Sequence, residues 1–249
     1  MKKLLFFVLT ICCAASLSAP VAAKTYINGI DANFSPFVYV DATGKPAGFD
    51  VDAVDWIAQK LGFTVKHVPM DWNGIVASLV NKKIDFIASG LSVTEECAKA
   101  IDFTIPYWVV RQVLVVRKDS DLTPEMVLKG KKNLGVQSGT SEAQWLTDQA
   151  GKNGNNFILH YYDPAPMSVQ DLVHGRIDAA SMNESPAFDA VSKRPVKIIG
   201  EMGLAPEEFA YGIRKNDTEL KKLLDNGLRL LMADPYWQEL IKKYNPNEH

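Results

Sequence analysis

The sequence predicts an α/β protein with two lobes, each a mostly parallel sheet flanked by helices. β-Branched segments and helix-periodic segments alternate in the order βαβαβ over residues 25–88, and a second run of the same kind covers residues 112–199. No stretch rich in Gly, Ser or Pro separates the two runs. Because a flexible linker would have such a composition, we expect the two lobes to pack closely.

The first run has a clear helical element at its centre. Apolar residues recur every three or four positions over residues 50–61, and Gly62 follows the last of them, which is typical of a helix that ends there. In order, the pattern predicts a strand at 25–30, a helix at 50–61, a strand at 64–68, a helix at 72–80 and a strand at 84–88.

The second run opens on four consecutive apolar residues, Val113 to Val116, which indicate a strand buried on both faces. The predicted strands of this run are 112–117, 133–136, 157–161, 177–182 and 196–199, and its predicted helices are 141–150 and 168–174. Two amphipathic helices, over 218–232 and 234–244, close the chain.

Residues 1–23 have the pattern of a secretory signal peptide. Lys2 and Lys3 precede an apolar run over 4–17, and small residues follow where a signal peptidase would cut. An uncleaved membrane anchor is the alternative, but the run is shorter than the roughly 20 residues that span a bilayer. The sequence therefore predicts export of a mature chain that begins at Lys24.

Removal of this segment changes the charge and the cysteine count. The whole chain has 27 basic and 29 acidic side chains, so two fewer lysines give 25 − 29 = −4 for the mature chain. This balance argues against a nucleic-acid binder, which would have a concentrated basic excess. Cys97 is the one cysteine left, which excludes a disulfide scaffold.

The common signatures of catalytic and cofactor sites are missing from the sequence. It contains no GxxxxGK[ST] loop, no GxGxxG after a strand, no GxSxG and no HExxH, and its four histidines are scattered. We therefore expect no cofactor, no metal and no catalytic residue.

Five ordered motifs resemble one known family. They are GFDVDA at 48–53, DWNGIVASL at 71–79, SGLSVTEE at 89–96 followed by IDFT at 101–104, GVQSGTS at 135–141 and GRIDAA at 175–180. Together they resemble the periplasmic solute-binding proteins of the polar amino-acid family (family 3), which are receptors of ABC importers. The resemblance implies a periplasmic binding protein fold with two crossing strands between the lobes, which close around a ligand.

The resemblance also implies the limits of the lobes. Lobe one is expected over residues 24–107 plus 211–249, and lobe two over 111–207. Hinges are expected at about 107–111 and 207–211.

In lobe one, the resemblance points to loops at the carboxyl edge of the sheet, where α/β proteins place ligands. Phe34 and Trp72 would form an aromatic wall, or would alternatively be core aromatics. Gly90 and Ser92 precede a helix at Glu95, so their backbone N–H groups and hydroxyl can meet an anion. Asp31 and Ser89 complete the ligand-binding candidates of this lobe.

In lobe two, the candidates are Gln137, Thr140 and Ser141, which lie in the loop before the helix over 141–150. Ser141 would alternatively form a capping box with Gln144, and capping and ligand binding can coexist there.

The sequence departs from the family at both charged anchors of an α-amino acid. Members that bind α-amino acids have an arginine three residues after Thr94, where it pairs with the ligand carboxylate, and here that residue is Cys97. The family aspartate that holds the α-ammonium corresponds to Asn183 or to Glu184, depending on the direction of counting. Arg111, at the first crossing, is either a relocated anion clamp or a solvated hinge arginine.

The function that follows is an exported receptor that delivers a small amino-acid-like or amine ligand to ABC permease subunits. Because Cys97 cannot pair with a carboxylate, we expect the ligand not to be a standard α-amino acid. The alternatives are a standard polar amino-acid receptor with other anchors, a signalling receptor, and an enzyme similar to cyclohexadienyl dehydratase with Glu184 as its acid. We expect a periplasmic monomer without a nucleic-acid partner.

Overall fold

The computed structural model describes residues 23–244, so residues 1–22 of the predicted signal peptide lie outside the described residues. In the described part, no helix combines the length and the apolar character that crossing a membrane requires.

The helices are α1 (Phe49–Leu61), α2 (Trp72–Val80), α3 (Glu95–Ala100), α4 (Pro124–Lys129), α5 (Ser141–Gln149), α6 (Pro166–Val173), α7 (Glu184–Lys193), α8 (Thr218–Ala233) and α9 (Tyr236–Tyr244). The strands are β1 (Thr25–Ile30), β2 (Asn33–Phe34), β3 (Val38–Val40), β4 (Pro46–Ala47), β5 (Thr64–Pro69), β6 (Phe86–Ile87), β7 (Ile101–Phe103), β8 (Trp108–Val110), β9 (Gln112–Arg117), β10 (Asn133–Gln137), β11 (Ile158–Tyr162), β12 (Ala179–Asn183), β13 (Val196–Glu201), β14 (Glu207–Phe209) and β15 (Gly212–Arg214).

Two five-stranded sheets form the two lobes. Their strand orders are β5-β1-β6-β15-β7 and β11-β10-β12-β9-β13, so the three strands that pair in parallel in each sheet follow the same order 2-1-3 along the chain. β1 pairs in parallel with β5 and β6, and β10 pairs in parallel with β11 and β12. β15 and β9 run antiparallel to both of their neighbours. The two-lobed α/β fold with mostly parallel sheets is therefore confirmed.

β9 and β15, the two antiparallel strands, each follow directly after a crossing of the chain from one lobe to the other. β8 precedes β9 on the first crossing and β14 precedes β15 on the second, and β8 and β14 pair with each other in antiparallel register from Trp108↔Phe209 to Val110↔Glu207. Backbone hydrogen bonds thus tie the two crossings into one ribbon.

Lobe two has apolar clusters on both faces of its sheet. Leu114 and Val116 of β9 belong to one cluster, whereas Val113 and Val115 belong to the other. Alternate side chains of a strand point to opposite faces, so a continuous apolar run is what a strand with helices on both sides requires.

In lobe one, the larger cluster lies under the C-terminal helices. Phe49 and Ile57 of α1 pack in this cluster with Leu224 and Leu228 of α8, and all four are fully buried. α1 ends where the sequence predicts, because Gly62 adopts a left-handed conformation (φ 75°) and its N–H donates to the Ala58 carbonyl at 2.9 Å.

The predicted elements are confirmed to within two residues at each end, but the sequence patterns missed two helices, α4 and the ten-residue α7. The strand predicted over 84–88 has only Phe86 and Ile87 in the ladder, because the flanking residues form the turn before it and the loop after it. The sequence patterns also missed the small sheet β2-β3-β4 and the crossing strands, each of which has only two or three residues.

Candidate functional site

The candidate site lies where four parallel strands end. Asp31 follows β1 and Ser89 follows β6 in lobe one, whereas Gln137 ends β10 and Asn183 ends β12 in lobe two. β1 and β6 are neighbours, and so are β10 and β12. In each sheet the chain leaves these two strands in opposite directions, which opens a crevice at their carboxyl ends.

A cavity of about 580 Å³ occupies this crevice between the lobes. Eleven of the thirteen predicted ligand-binding residues line it, namely Asp31, Phe34, Trp72, Ser89, Gly90, Ser92, Cys97, Gln137, Thr140, Ser141 and Asn183. The fold therefore brings the candidates of both lobes together, although their contact with a ligand stays a prediction.

The lobes touch directly across the crevice. Gln137 Nε2 donates to Asp31 Oδ2 at 3.0 Å, and both side chains are buried. Nearer the exposed side, Trp72 Nε1 donates to the Gly139 carbonyl at 3.2 Å. Each bond joins one lobe to the other, so the structure has the closed arrangement in which a ligand would be enclosed.

The aromatic wall combines two environments. Phe34 lines the cavity, and its ring also stacks on the core ring of Phe37 with centroids 5.6 Å apart. A Cβ at Gly90 would overlap the Phe34 ring, so the glycine, at φ 59°, is what allows this close approach. Phe34 therefore lines the cavity and packs against the core at the same time, so the two alternatives for this residue are compatible.

The loops before α3 and α5 use threonine caps. Thr94 Oγ1 accepts from the Cys97 N–H at 3.1 Å, and Thr140 Oγ1 accepts from the Ala143 N–H at 3.1 Å. The capping box expected from Ser141 and Gln144 is therefore wrong, because Thr140 is the N-cap and frees the Ser141 hydroxyl for other partners.

Cys97 is a free cysteine on α3 with its side chain at the cavity. It faces the same space as the aromatic wall, where it presents a small, weakly polar sulfhydryl and no positive charge.

Arg111 and Glu184 are the two candidates that are not among the described residues lining the cavity. The Arg111 N–H donates to Glu184 Oε1 at 3.2 Å, and the guanidinium lies 3.5 Å from Glu201 Oε1 with its side chain half exposed. The structure thus places Arg111 at the first crossing between the lobes, with its side chain half exposed. Of the two alternatives at the end of β12, it brings Asn183 to the cavity and pairs Glu184 with Arg111 at the crossing.

The cavity is strongly acidic, which the sequence patterns did not indicate. Five carboxyl side chains line it, and none of the described lining residues is Lys, Arg or His; the five are Asp31, Glu96, Glu142, Asp148 and Glu207. Burial raises the pKa of Glu142 to about 7, and the neighbouring negative charge of Glu207 acts in the same direction.

Glu142 and Glu207 were missed for separate reasons. Glu142 lies in the first turn of α5, where an acidic residue is favoured by the helix dipole alone. Glu207 begins the second crossing, 66 residues after Ser141, and only the fold brings its Oε2 to 2.6 Å from the Ser141 hydroxyl. Two more aromatic residues that line the cavity, Trp145 and Tyr161, were missed as well.

No group of three or more His, Cys, Asp or Glu side chains within residues 23–244 is placed to hold a metal ion. The chemistry of the site is that of a binding cavity with aromatic walls, hydroxyl and amide groups and an excess of carboxyl groups.

Comparisons with known proteins agree with this architecture. The sequence profile of the bacterial extracellular solute-binding proteins, family 3, matches residues 26–247. The histidine-binding periplasmic protein of Salmonella typhimurium is 32% identical over 256 residues, which cover 98% of this chain and 97% of the relative.

Two solved structures show the same fold over about nine tenths of this chain. One is the arginine-, lysine-, histidine-binding protein ArtJ from Geobacillus stearothermophilus, with a TM-score of 0.82, 28% identity and coverage of 91% of this chain and 97% of that one. The other is the ancestral amino acid-binding protein AncCDT-1, a precursor of cyclohexadienyl dehydratase, with a TM-score of 0.81, 29% identity and coverage of 89% and 95%. The chain belongs to the bacterial extracellular solute-binding proteins, family 3.

Proposed function

We propose that this protein is the periplasmic receptor of an ABC importer, and that it captures a small amino-acid-like or amine ligand by closing its two lobes. The observation that carries the proposal is the cavity between the lobes, which both lobes line and which direct bonds from Gln137 and Trp72 close. Closure of this kind excludes water, so polar contacts inside the cavity become stronger.

The chemistry of the cavity argues against a standard α-amino acid. The resemblance places Cys97 where the family has its carboxylate-binding arginine, and Asn183 or Glu184 where it has the ammonium-binding aspartate. Of these two, Asn183 is the one that lines the cavity. A buried carboxylate left without a positive partner costs several kcal/mol, which is a large part of the roughly 8 kcal/mol that micromolar affinity represents. The other described lining residues supply no cation that could replace the arginine.

The predicted signal peptide and the periplasmic relative support an exported receptor. Membrane permease subunits would then be the partners that take the ligand from the closed protein. We propose a monomer, since each chain encloses its own cavity.

A ligand screen tests the proposal. The processed protein, purified from the periplasm, is titrated calorimetrically with the standard amino acids and with their decarboxylated and amidated counterparts. We expect the counterparts without a carboxylate to bind and the standard α-amino acids to bind weakly. Micromolar binding of a standard amino acid, without binding of its counterpart, would show that the reasoning from Cys97 is wrong.

A variant with the family residue provides the matched control. Cys97→Arg should raise the affinity for α-amino acids by about tenfold or more relative to their decarboxylated counterparts, because it returns a guanidinium to the cavity. Cys97→Ser, which adds no charge, should leave the order of affinities unchanged.

The dehydratase alternative has one observation in its favour, the likeness to AncCDT-1. The acid that the sequence suggested for it, Glu184, is paired with the Arg111 N–H at the hinge. Prephenate and arogenate also carry carboxylates, for which the described lining residues provide no cation. A prephenate turnover assay decides this point, and we expect no turnover.

A further inference from the structure

Glu142 and Glu207 form a pair of carboxyl groups in the wall of the cavity. Glu142 is 5% exposed, and Ser141 Oγ lies 3.3 Å from its Oε2 and 2.6 Å from Glu207 Oε2. A hydroxyl has one proton to donate, so it cannot serve both carboxylates at once. Glu207 also accepts from Gln112 Nε2 at 3.0 Å, and the donors that reach the Glu142 carboxyl are its own N–H and the hydroxyls of Thr140 and Ser141, all of them neutral.

No positive side chain of the described protein balances this pair. None of the ion pairs within residues 23–244 involves Glu142 or Glu207. A buried carboxylate without a positively charged partner either binds a cation or takes up a proton. The pair is thus built for a positive group that comes from outside the chain.

Asn183 gives a second, independent sign of a ligand. It is 7% exposed, it lines the cavity, and its Nδ2 has no hydrogen-bond partner in the described structure. A buried amide donor without an acceptor costs free energy, so the ligand should offer an oxygen or another acceptor here. Asn183 and Glu142 also line a smaller chamber of about 180 Å³, and they therefore lie together at the junction of the two spaces.

The rest of the lining suits a positive group as well. The aromatic side chains of Phe34, Trp72, Trp145 and Tyr161 surround the cavity. The faces of such rings attract ammonium and guanidinium groups.

We propose that the ligand is an organic cation without a carboxylate, and that Glu142 and Glu207 bind its ammonium or guanidinium group. This inference rests on the proposed receptor function and names the class of ligand and its anchor. The residues that bind the charged group of the ligand would then be Glu142 in lobe two and Glu207 at the second crossing. The position of Cys97 on α3 of lobe one would not bind a charge.

Binding of a cation should release a proton from Glu142, whose pKa burial raises to about 7. Charged side chains from several elements line one or both spaces with it. They are Glu207 on the second crossing, Asp31 and Glu96 in lobe one, Asp148 on α5, Asp189 and Lys193 on α7, and Arg194 directly after α7. Ionisation of Glu142 rises from roughly one tenth at pH 6 to roughly nine tenths at pH 8, so affinity for a permanent cation should rise about tenfold over this interval.

Calorimetry with arginine and agmatine tests the inference, since agmatine is arginine without its carboxylate. We expect agmatine to bind at least about tenfold more tightly than arginine at pH 8, and its affinity to rise with pH. Glu142→Gln should weaken agmatine binding by about tenfold or more and remove the pH dependence. Asp148→Asn is the matched control, because it removes an exposed carboxylate from the same helix and the same cavity.

Several outcomes would overturn the inference. Tighter binding of arginine than of agmatine, or equal losses in Glu142→Gln and Asp148→Asn, would remove the specific anchor and leave the receptor function standing. If neither probe binds and mass spectrometry of the purified protein finds a neutral or anionic molecule, the proposed class of ligand is wrong and the proposed receptor function still holds. If no molecule co-purifies and no compound of the ligand screen binds, both proposals fail.

Discussion

Asp50 provides the sharpest test of the physical reasoning, because it is a fully buried carboxyl group in lobe one. Its Oδ2 accepts from the Gly90 N–H at 2.7 Å, whereas its Oδ1 has no hydrogen-bond partner in the described structure. The buried hydroxyls of Tyr107 and Tyr211 lie near it, and the Tyr107 hydroxyl partly offsets the effect of burial by lowering the Asp50 pKa. Burial is the main cause that raises the Asp50 pKa from 3.8 to about 7.

This shift makes the free energy of unfolding depend on pH. The folded state holds the Asp50 proton more tightly than the unfolded state, so the stabilisation is complete below about pH 4 and is lost as the pH rises to 7 and above. A shift from 3.8 to about 7 corresponds to about 4 kcal/mol, at 1.36 kcal/mol for each pKa unit. Asp50→Asn removes this proton equilibrium and can keep an oxygen for the Gly90 N–H.

Urea denaturation of the two ligand-free proteins between pH 4.5 and pH 8 measures the effect. We expect the stability of Asp50→Asn relative to the wild type to increase by about 3 kcal/mol over this interval, because part of the shift lies below pH 4.5. Glu142 is also buried with a raised pKa, but it contributes the same slope to both proteins and cancels in their difference. Parallel pH profiles for the variant and the wild type would refute the reasoning.

Two glycine substitutions test the closed arrangement and the core. A Cβ at Gly139 would lie 2.6 Å from Asn73 Oδ1 across the crevice, so Gly139→Ala should weaken ligand binding by about tenfold in a titration. Gly154→Ala, at a similar positive φ but with open space around it, should cost about 1 kcal/mol in unfolding and leave binding unchanged. A Cβ at Gly227 would overlap Ile57 between α8 and α1, and Gly227→Ala should lower the urea unfolding free energy by about 1–3 kcal/mol. A loss below about 0.5 kcal/mol would contradict that tight packing.

Most long elements of the fold were predictable because each satisfies a single periodic rule, whereas the ten-residue helix α7 was missed. The continuous apolar run of β9 indicated a strand covered on both faces, and Gly62 marked the end of α1. The crossing strands β8 and β14 have three residues each and pair with one another about 100 residues apart, and β14 also accepts from the Val93 N–H of lobe one. No local sequence pattern can indicate a pairing between segments so far apart in the chain.

The candidate site was predictable where motifs follow strand ends, as at Asp31 and Gln137. Its acidic character was not, because Glu142 resembles an ordinary residue of a first helical turn and Glu207 reaches it only through the hinge. The sequence also could not show whether Asn183 or Glu184 faces the cavity. Successive residues at the end of a strand point to opposite sides, so a shift of one residue in the alignment reverses the answer.

The arrangement of the two sheets has a consequence for the order in which the chain folds. All five strands of the second sheet come from one continuous stretch, residues 112–201, whereas the first sheet needs β15 from residues 212–214 as well as strands that end at residue 103. The core of lobe one also waits for α8 and α9. In a chain that emerges from its N-terminus, lobe two can therefore form its native strand pairs while lobe one still lacks β15, α8 and α9. Lobe one is then the last part to complete its fold.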